Sequence, residues 1–233
     1  MRVLVTRPEE DAARTAARLA KAGHQPVVAP LFAIRPTGAR VDAAGASGVL
    51  LTSRNGIRAL TKDELSMLAK LAVFAVGDAT ARAAREAGFR NVTSATGDSV
   101  GLVRIVRREI SPHTGVLLHI AGAHVAGDVA GALRRAGFTV RRIVAYEAVS
   151  DEQLARAARD AVLRHKPDMA LVYSERAAAA VLALYAKIPA WLARPGIAAI
   201  SARAAKPFID AGGWNVRIAA ALDEAALLAV LEP

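Results

Sequence analysis

Leu50–Leu60, LLTSRNGIRAL, and Leu171–Leu184, LVYSERAAAAVLAL, are two versions of one unit. In each, apolar residues suited to a buried strand run into a hydroxyl side chain, and a helical apolar pattern follows, with Ser53 opposite Ser174. A hydroxyl at such a handover has two uses. It can cap the helix by accepting a bond from a free backbone N–H. It can also join those N–H groups in holding an anion at the carboxyl end of a parallel strand. On this stretch alone the cap is the simpler reading.

The repetition extends outward. Phe74–Val92, FAVGDATARAAREAGFRNV, resembles Ala198–Val216, AAISARAAKPFIDAGGWNV, with Gly77 opposite Ser201 and Gly88 opposite Gly212. A third pair, Val3–Val28 and Leu117–Arg142, aligns Gly23 with Gly137, but its order is permuted: it opens the chain in one copy and closes the unit in the other. The simplest arrangement is two domains. Residues 1–35 join 151–233 in the first, 41–143 form the second, and the chain crosses near AIRPTG, with a linker at about 36–40, and at about 144–150 (VAYEAVS). Strand candidates at 2–6, 25–32, 49–51, 73–76, 116–120, 140–144, 170–173, 197–200 and 216–219 alternate with Ala/Arg-rich helices. The first helix is announced by Pro8, by Glu9, Glu10 and Asp11 in its first turn, and by Gly23 as its stop. The expected fold class is therefore α/β: two similar three-layer α/β/α domains with parallel sheets, joined by a two-segment linker.

Composition narrows the chemistry. The 233 residues are 54% apolar, enough for packed cores, and no apolar run reaches the about 18 residues of a membrane span. The opening MRVLVTRPEED is too short in apolar residues for a signal peptide, so the expected residence is cytoplasmic, without membrane insertion. With no cysteine, disulfides, thiolate catalysis and Cys-ligated metals are excluded. The 31 Lys and Arg against 21 Asp and Glu give a net charge of +10 and favour anionic partners. Nucleic acid is disfavoured because only 4% of residues are aromatic and the arginines are spread over many helices. A small polyanion fits better. No G-x-G-x-x-G or G-x-x-x-x-G-K-[ST] loop follows a strand, which argues against a nucleotide enzyme. His119 and His124, in HIAGAH, have no second ligand pair at metal spacing, and no metal is expected.

Together VLVTRP, GVLLTSRNGIRAL, VFAVGDATARAAREAGF, AGFTVRRIVAYEAV, ALVYSERAAAAV and IAAISARAAKPFIDAGG, in this order and spacing, resemble the uroporphyrinogen-III synthase family across essentially the whole chain. The resemblance implies two α/β domains with an active site in the cleft between them. It implies a linear tetrapyrrole substrate, hydroxymethylbilane, with eight carboxylates, which loses water, inverts its last ring and closes to the type III macrocycle. No cofactor is implied. The expected protein is a monomer, compatible with handover of its substrate from the preceding pathway enzyme.

The chemistry suits the chain. A pyrrole can expel hydroxide if one acid assists, so a proton donor and a pocket that orients the rings suffice. By resemblance the donor is Tyr146, in the return crossover. Carboxylates are expected at Arg7, at Thr52, Ser53 and Arg54, at Gly77 and Thr80, at Gly122, at Ser174 and Glu175, and at Ser201. Ser53 and Ser174 then cap their helices in the empty enzyme and hold carboxylates in the complex. Thr80 has a plainer reading as an ordinary helix residue, and Arg7 as a surface residue before Pro8. Three departures from the family put two turns in doubt: Ala121 and Ala126 stand where arginines flank the glycine at 122, with His124 as a substitute, and Ala204 stands where a threonine follows Ser201. The other function class compatible with these features is a catalytically silent binder of an anionic metabolite, which would not need Tyr146.

Overall fold

The computed structural model of the chain describes residues 1–95, 99–125 and 127–232. In chain order its elements are β1 (Arg2–Val5), α1 (Glu9–Lys21), β2 (Gln25–Val28), β3 (Ala33–Pro36), β4 (Ala46–Leu51), α2 (Arg54–Arg58), α3 (Lys62–Leu68), β5 (Ala72–Val76), α4 (Asp78–Glu86) and β6 (Asn91–Ala95). They continue with α5 (Ser99–Glu109), β7 (Val116–Gly122), α6 (Val129–Arg135), β8 (Thr139–Val149), α7 (Glu152–His165), β9 (Met169–Val172), α8 (Glu175–Tyr185), β10 (Gly196–Ala199), α9 (Ala202–Ala211), β11 (Val216–Ile218) and α10 (Glu224–Ala229).

The chain divides into two compact units, residues 1–33 with 149 onward, and Ile34–Ala148. The first holds a sheet in the order β11-β10-β9-β1-β2, the second a sheet in the order β3-β8-β7-β4-β5-β6. With β3 set aside, the two orders correspond strand for strand under the permuted repeat, β9-β10-β11 matching β4-β5-β6 and β1-β2 matching β7-β8. The registers agree as well: Leu4 lies beside Ala170 in one sheet, and Leu118 beside Val49 in the other. Both sets of pairings are parallel.

Each sheet is covered on both faces because its strands are apolar on both. In the first unit Leu4, Ala170 and Val172 pack with Val162, Val181 and Phe208 of α7, α8 and α9, while Val3, Val5 and Leu171 pack with Leu19 of α1 and Leu227 of α10. In the second, Val49, Leu51, Leu118 and Ile120 meet Ile57, Leu68 and Ala81 of α2, α3 and α4, and Leu50, Phe74 and Leu117 meet Leu102, Val106 and Leu133 of α5 and α6. Gly23, with φ +80°, closes α1, its N–H donating to Ala20 O at 3.0 Å.

The crossings differ from the expected linkers. Residues 144–149 belong to the eleven-residue strand β8, and the outward crossing begins as β3, its pairing partner. Thr37 N–H donates to Ala145 O at 3.0 Å and Thr37 Oγ1 to Val144 O at 2.6 Å. Two chain segments crossing side by side satisfy each other's backbone groups, so neither remains a loop. The edge strand β6 and the short β3 were not among the expected strands, and β2 stops at Val28 rather than Phe32. Among the described residues no helix is long and apolar enough to cross a membrane.

Candidate active site

In each sheet the strand order reverses beside one pair of strands, β1 and β9 in the first unit and β7 and β4 in the second. Ligands of open parallel sheets bind at the carboxyl ends at such a reversal.

In the second unit Leu51, at the end of β4, leads into Thr52 and Ser53, and Ser53 Oγ accepts from Asn55 N–H at 3.2 Å as the cap of α2. Thr52 Oγ1 lies 3.5 Å from Nε2 of His119, a residue 1% exposed whose Nδ1 has no partner among the described residues. Burial, with the charges of Arg142 and Arg134, pushes His119 down to about 4, so its imidazole is neutral at physiological pH. Gly77 precedes α4 with φ +73°, a conformation open to glycine, and Thr80 is buried in the first turn of that helix. Its placement is that of an ordinary helix residue.

Gly122 ends β7 under the ring of Tyr146. A Cβ built on Gly122 would lie 2.7 Å from Tyr146 Cζ and 3.0 Å from its hydroxyl oxygen. The approach depends on a bulge: Ala121 pairs with Val144 but Gly122 with Tyr146, so Ala145 is passed over and the tyrosine is drawn against the glycine. Among the described residues the half-buried Tyr146 hydroxyl has no hydrogen-bond partner. Arg142, four residues earlier on β8, extends Nη2 to Gly122 O at 2.7 Å and Ala123 O at 3.0 Å. Ala121 is buried and His124 exposed, and Ala126 lies outside the described residues.

In the first unit Ser174 caps α8, accepting from Ala177 N–H at 3.1 Å, and Ser201 caps α9, accepting from Ala204 N–H at 3.1 Å. These cap bonds use oxygen lone pairs and leave the hydroxyl hydrogens for an acceptor. Glu175 pairs with Arg203 at 3.2 Å, joining the first turns of α8 and α9. Its own charge suits a helix N-terminus and repels a carboxylate.

Arg7 sits in a network of the protein's own groups. Its guanidinium lies over the Tyr173 ring, 4.1 Å from the centroid, and donates to Glu224 at 3.1 Å, Asp11 at 3.3 Å and Thr15 at 3.3 Å. Glu224 also accepts from Tyr173 at 2.9 Å, Thr15 at 2.5 Å and Arg18 at 2.7 Å. Burial drives the Tyr173 phenol up to about 12. Burial also raises Glu224, but the bonds from Thr15 and Tyr173 and the charges of Arg7 and Arg18 outweigh it, and its carboxyl sits below the ordinary value. Asp11 and Glu224 thus bring two of the protein's own carboxylates to Arg7. Sequence reasoning missed Glu224, more than two hundred residues away, and Arg142, whose signal was a pair of arginines inside an apolar strand run.

The family model for uroporphyrinogen-III synthase HemD (HEM4) matches residues 13–229. Among solved structures, uroporphyrinogen-III synthetase from Helicobacter pylori is similar at a TM-score of 0.69 and 15% identity, with 99% of this chain and 97% of that chain covered. A mutant uroporphyrinogen III synthase from Thermus thermophilus is similar at a TM-score of 0.54 and 20% identity, covering 100% of this chain and 97% of that one. No curated protein sequence matches. A two-unit α/β fold with hydroxyl-bearing turns at both strand reversals, matched over nearly its full length, places this chain in the uroporphyrinogen-III synthase family. Members of that family are cyclising lyases of haem biosynthesis.

Proposed function

We propose that this chain closes hydroxymethylbilane to uroporphyrinogen III, with Tyr146 as the proton donor that assists departure of the hydroxyl group. The observation that carries the reading is the Tyr146 phenol, held against Gly122 and without a protein partner among the described residues. A phenol O–H without a protein acceptor can donate to a leaving oxygen. The azafulvene-like cation left behind is stabilised by the pyrrole itself, so neither a metal nor an organic cofactor is required. Hydroxyls of Thr52, Ser53, Ser174 and Ser201 and the backbone at Gly77 receive carboxylates at the strand ends, which orients the rings. The protein works as a monomer in the cytoplasm.

The experiment is to supply hydroxymethylbilane made in situ by a hydroxymethylbilane synthase and identify the macrocycle after oxidation to the porphyrin. Type III product at rates above the unassisted closure supports the enzyme. Type I product at the unassisted rate, with binding intact, supports a silent binder instead.

A further inference from the structure

We propose that Arg142 receives a carboxylate of the tetrapyrrole beside Tyr146. The inference rests on the reading that substrate lies against Tyr146.

The two arginines of β8 are treated differently by the fold. Arg141 donates to the carboxylate of Asp42 at 2.8 Å and to its backbone oxygen at 2.8 Å, so its charge is balanced. Arg142 has no acidic partner among the described residues, and its only acceptors there are the carbonyl oxygens of Gly122 and Ala123. Both bonds are made by Nη2. The Nε–H and the two Nη1 hydrogens therefore remain as donors on an exposed, full positive charge. Two carbonyls holding one nitrogen also orient the guanidinium, which lowers the entropy lost when an anion binds.

Its location gives that charge a use. Gly122 is the residue that Tyr146 covers, so one β7 terminus holds both the phenol and the anchored cation. The side chains of the turn itself offer no permanent cation, since Ala121 and Ala123 are apolar and His124 is the nearest ionisable group. Arg142 fills that gap from the neighbouring strand. Its field also reaches inward to His119, its register partner on β7, where it helps keep the imidazole neutral. A carboxylate is the ligand this arrangement suits: a small anion bonded to an oriented guanidinium at a partly solvated strand end.

The test is steady-state kinetics of Arg142→Gln and Arg142→Lys, across ionic strength, with hydroxymethylbilane generated in situ. Arg142→Gln is expected to raise KM about 10- to 100-fold, the loss of one charge-assisted contact, with kcat within about threefold of wild type. The salt dependence of its KM should flatten, because the screened attraction is gone. Arg142→Lys should keep the salt dependence and most of the affinity. A purely structural role would lower the thermal midpoint and leave the salt dependence unchanged. If Arg142→Gln shows wild-type KM and salt dependence, the proposal is overturned. If that variant does not fold, an Arg142→Lys enzyme whose KM no longer responds to salt overturns it equally. Tyr146→Phe in the same series separates the two readings, since it should move kcat and not the salt dependence of KM.

Discussion

The ring of Tyr146 occupies the space in which a side chain at position 122 would begin, 2.7 Å from a Cβ placed on Gly122. Van der Waals contact for such carbon atoms lies near 3.5–4.0 Å, about an ångström farther. Gly122→Ala should therefore push the phenol off its position. We expect at least a tenfold loss of kcat, since about 1 Å of displacement at a reacting group can cost about a hundredfold, with a stability loss of roughly 1–3 kcal/mol from overpacking. Kinetics together with urea denaturation checks it: a fully active Gly122→Ala enzyme would show that the ring position does not matter.

Tyr146→Phe keeps the ring over Gly122 and removes only the donor. General acid assistance is typically worth about 10²- to 10⁴-fold, and a rate loss of that size is expected with product affinity and folding little changed. The residual product should still be type III if, as proposed, carboxylate contacts and not the proton donor orient the rings. Wild-type turnover by this variant sinks the assignment of Tyr146 as the acid.

Ser174→Asp separates cap from ligand site. Aspartate caps a helix about as well as serine, so the thermal midpoint should hold, whereas a negative charge at this strand end repels a substrate carboxylate. Affinity for product should fall about tenfold or more, an electrostatic penalty of the size expected for one like-charge contact. Unchanged affinity would leave Ser174 as a cap alone.

His119 makes the second unit acid-sensitive. In the unfolded chain its imidazole takes a proton near the ordinary 6.5, and in the folded protein only near about 4, because of burial first and then Arg142 and Arg134. Between those values the unfolded state binds more protons, so stability is lost as pH falls from about 6.5 towards about 4, by about 3 kcal/mol in full. Urea titrations at about pH 7 and about pH 4.5 should show that loss in the wild type and a smaller one in His119→Leu. Equal acid sensitivity of the two proteins would mean that the imidazole is not the titrating group.

Glu224 closes the network that holds Arg7. Glu224→Ala leaves Arg7, Thr15 and Tyr173 without their shared acceptor in a site only 18–21% exposed at the ion pair. Breaking a buried pair costs about 3–5 kcal/mol, and the partial exposure here reduces the expected loss to roughly 2–3 kcal/mol. Differential scanning calorimetry measures it. A midpoint like that of the wild type would show that the network adds no stability.

Much of this organisation could be read from local pattern. Alternating apolar strands and amphipathic helices follow from spacing along a few residues, and the permuted repeat alone matches β9 and β10 to β4 and β5. Ser53 and Ser174 were legible as caps because a cap involves neighbours two or three residues away, whereas the cap at Ser201 emerged only in the structure. β6 was not legible: NVTSA is polar, and an edge strand needs a partner more than an apolar face. Nor were the crossings, since VAYEAVS becomes strand only when β3 lies beside it. The fates of the arginines depended wholly on long-range contacts. Arg7 and Arg142 are equally charged in the sequence, yet Arg7 is neutralised by a glutamate 217 positions away, and Arg142 keeps its charge because, among the described residues, only the carbonyls of Gly122 and Ala123 accept from it. Side-chain pairing of this kind is set by which elements the folded sheet brings together, a property that local periodicity does not encode. The same holds for Tyr146, whose ring meets Gly122 only because one bulge shifts the register of β8 against β7.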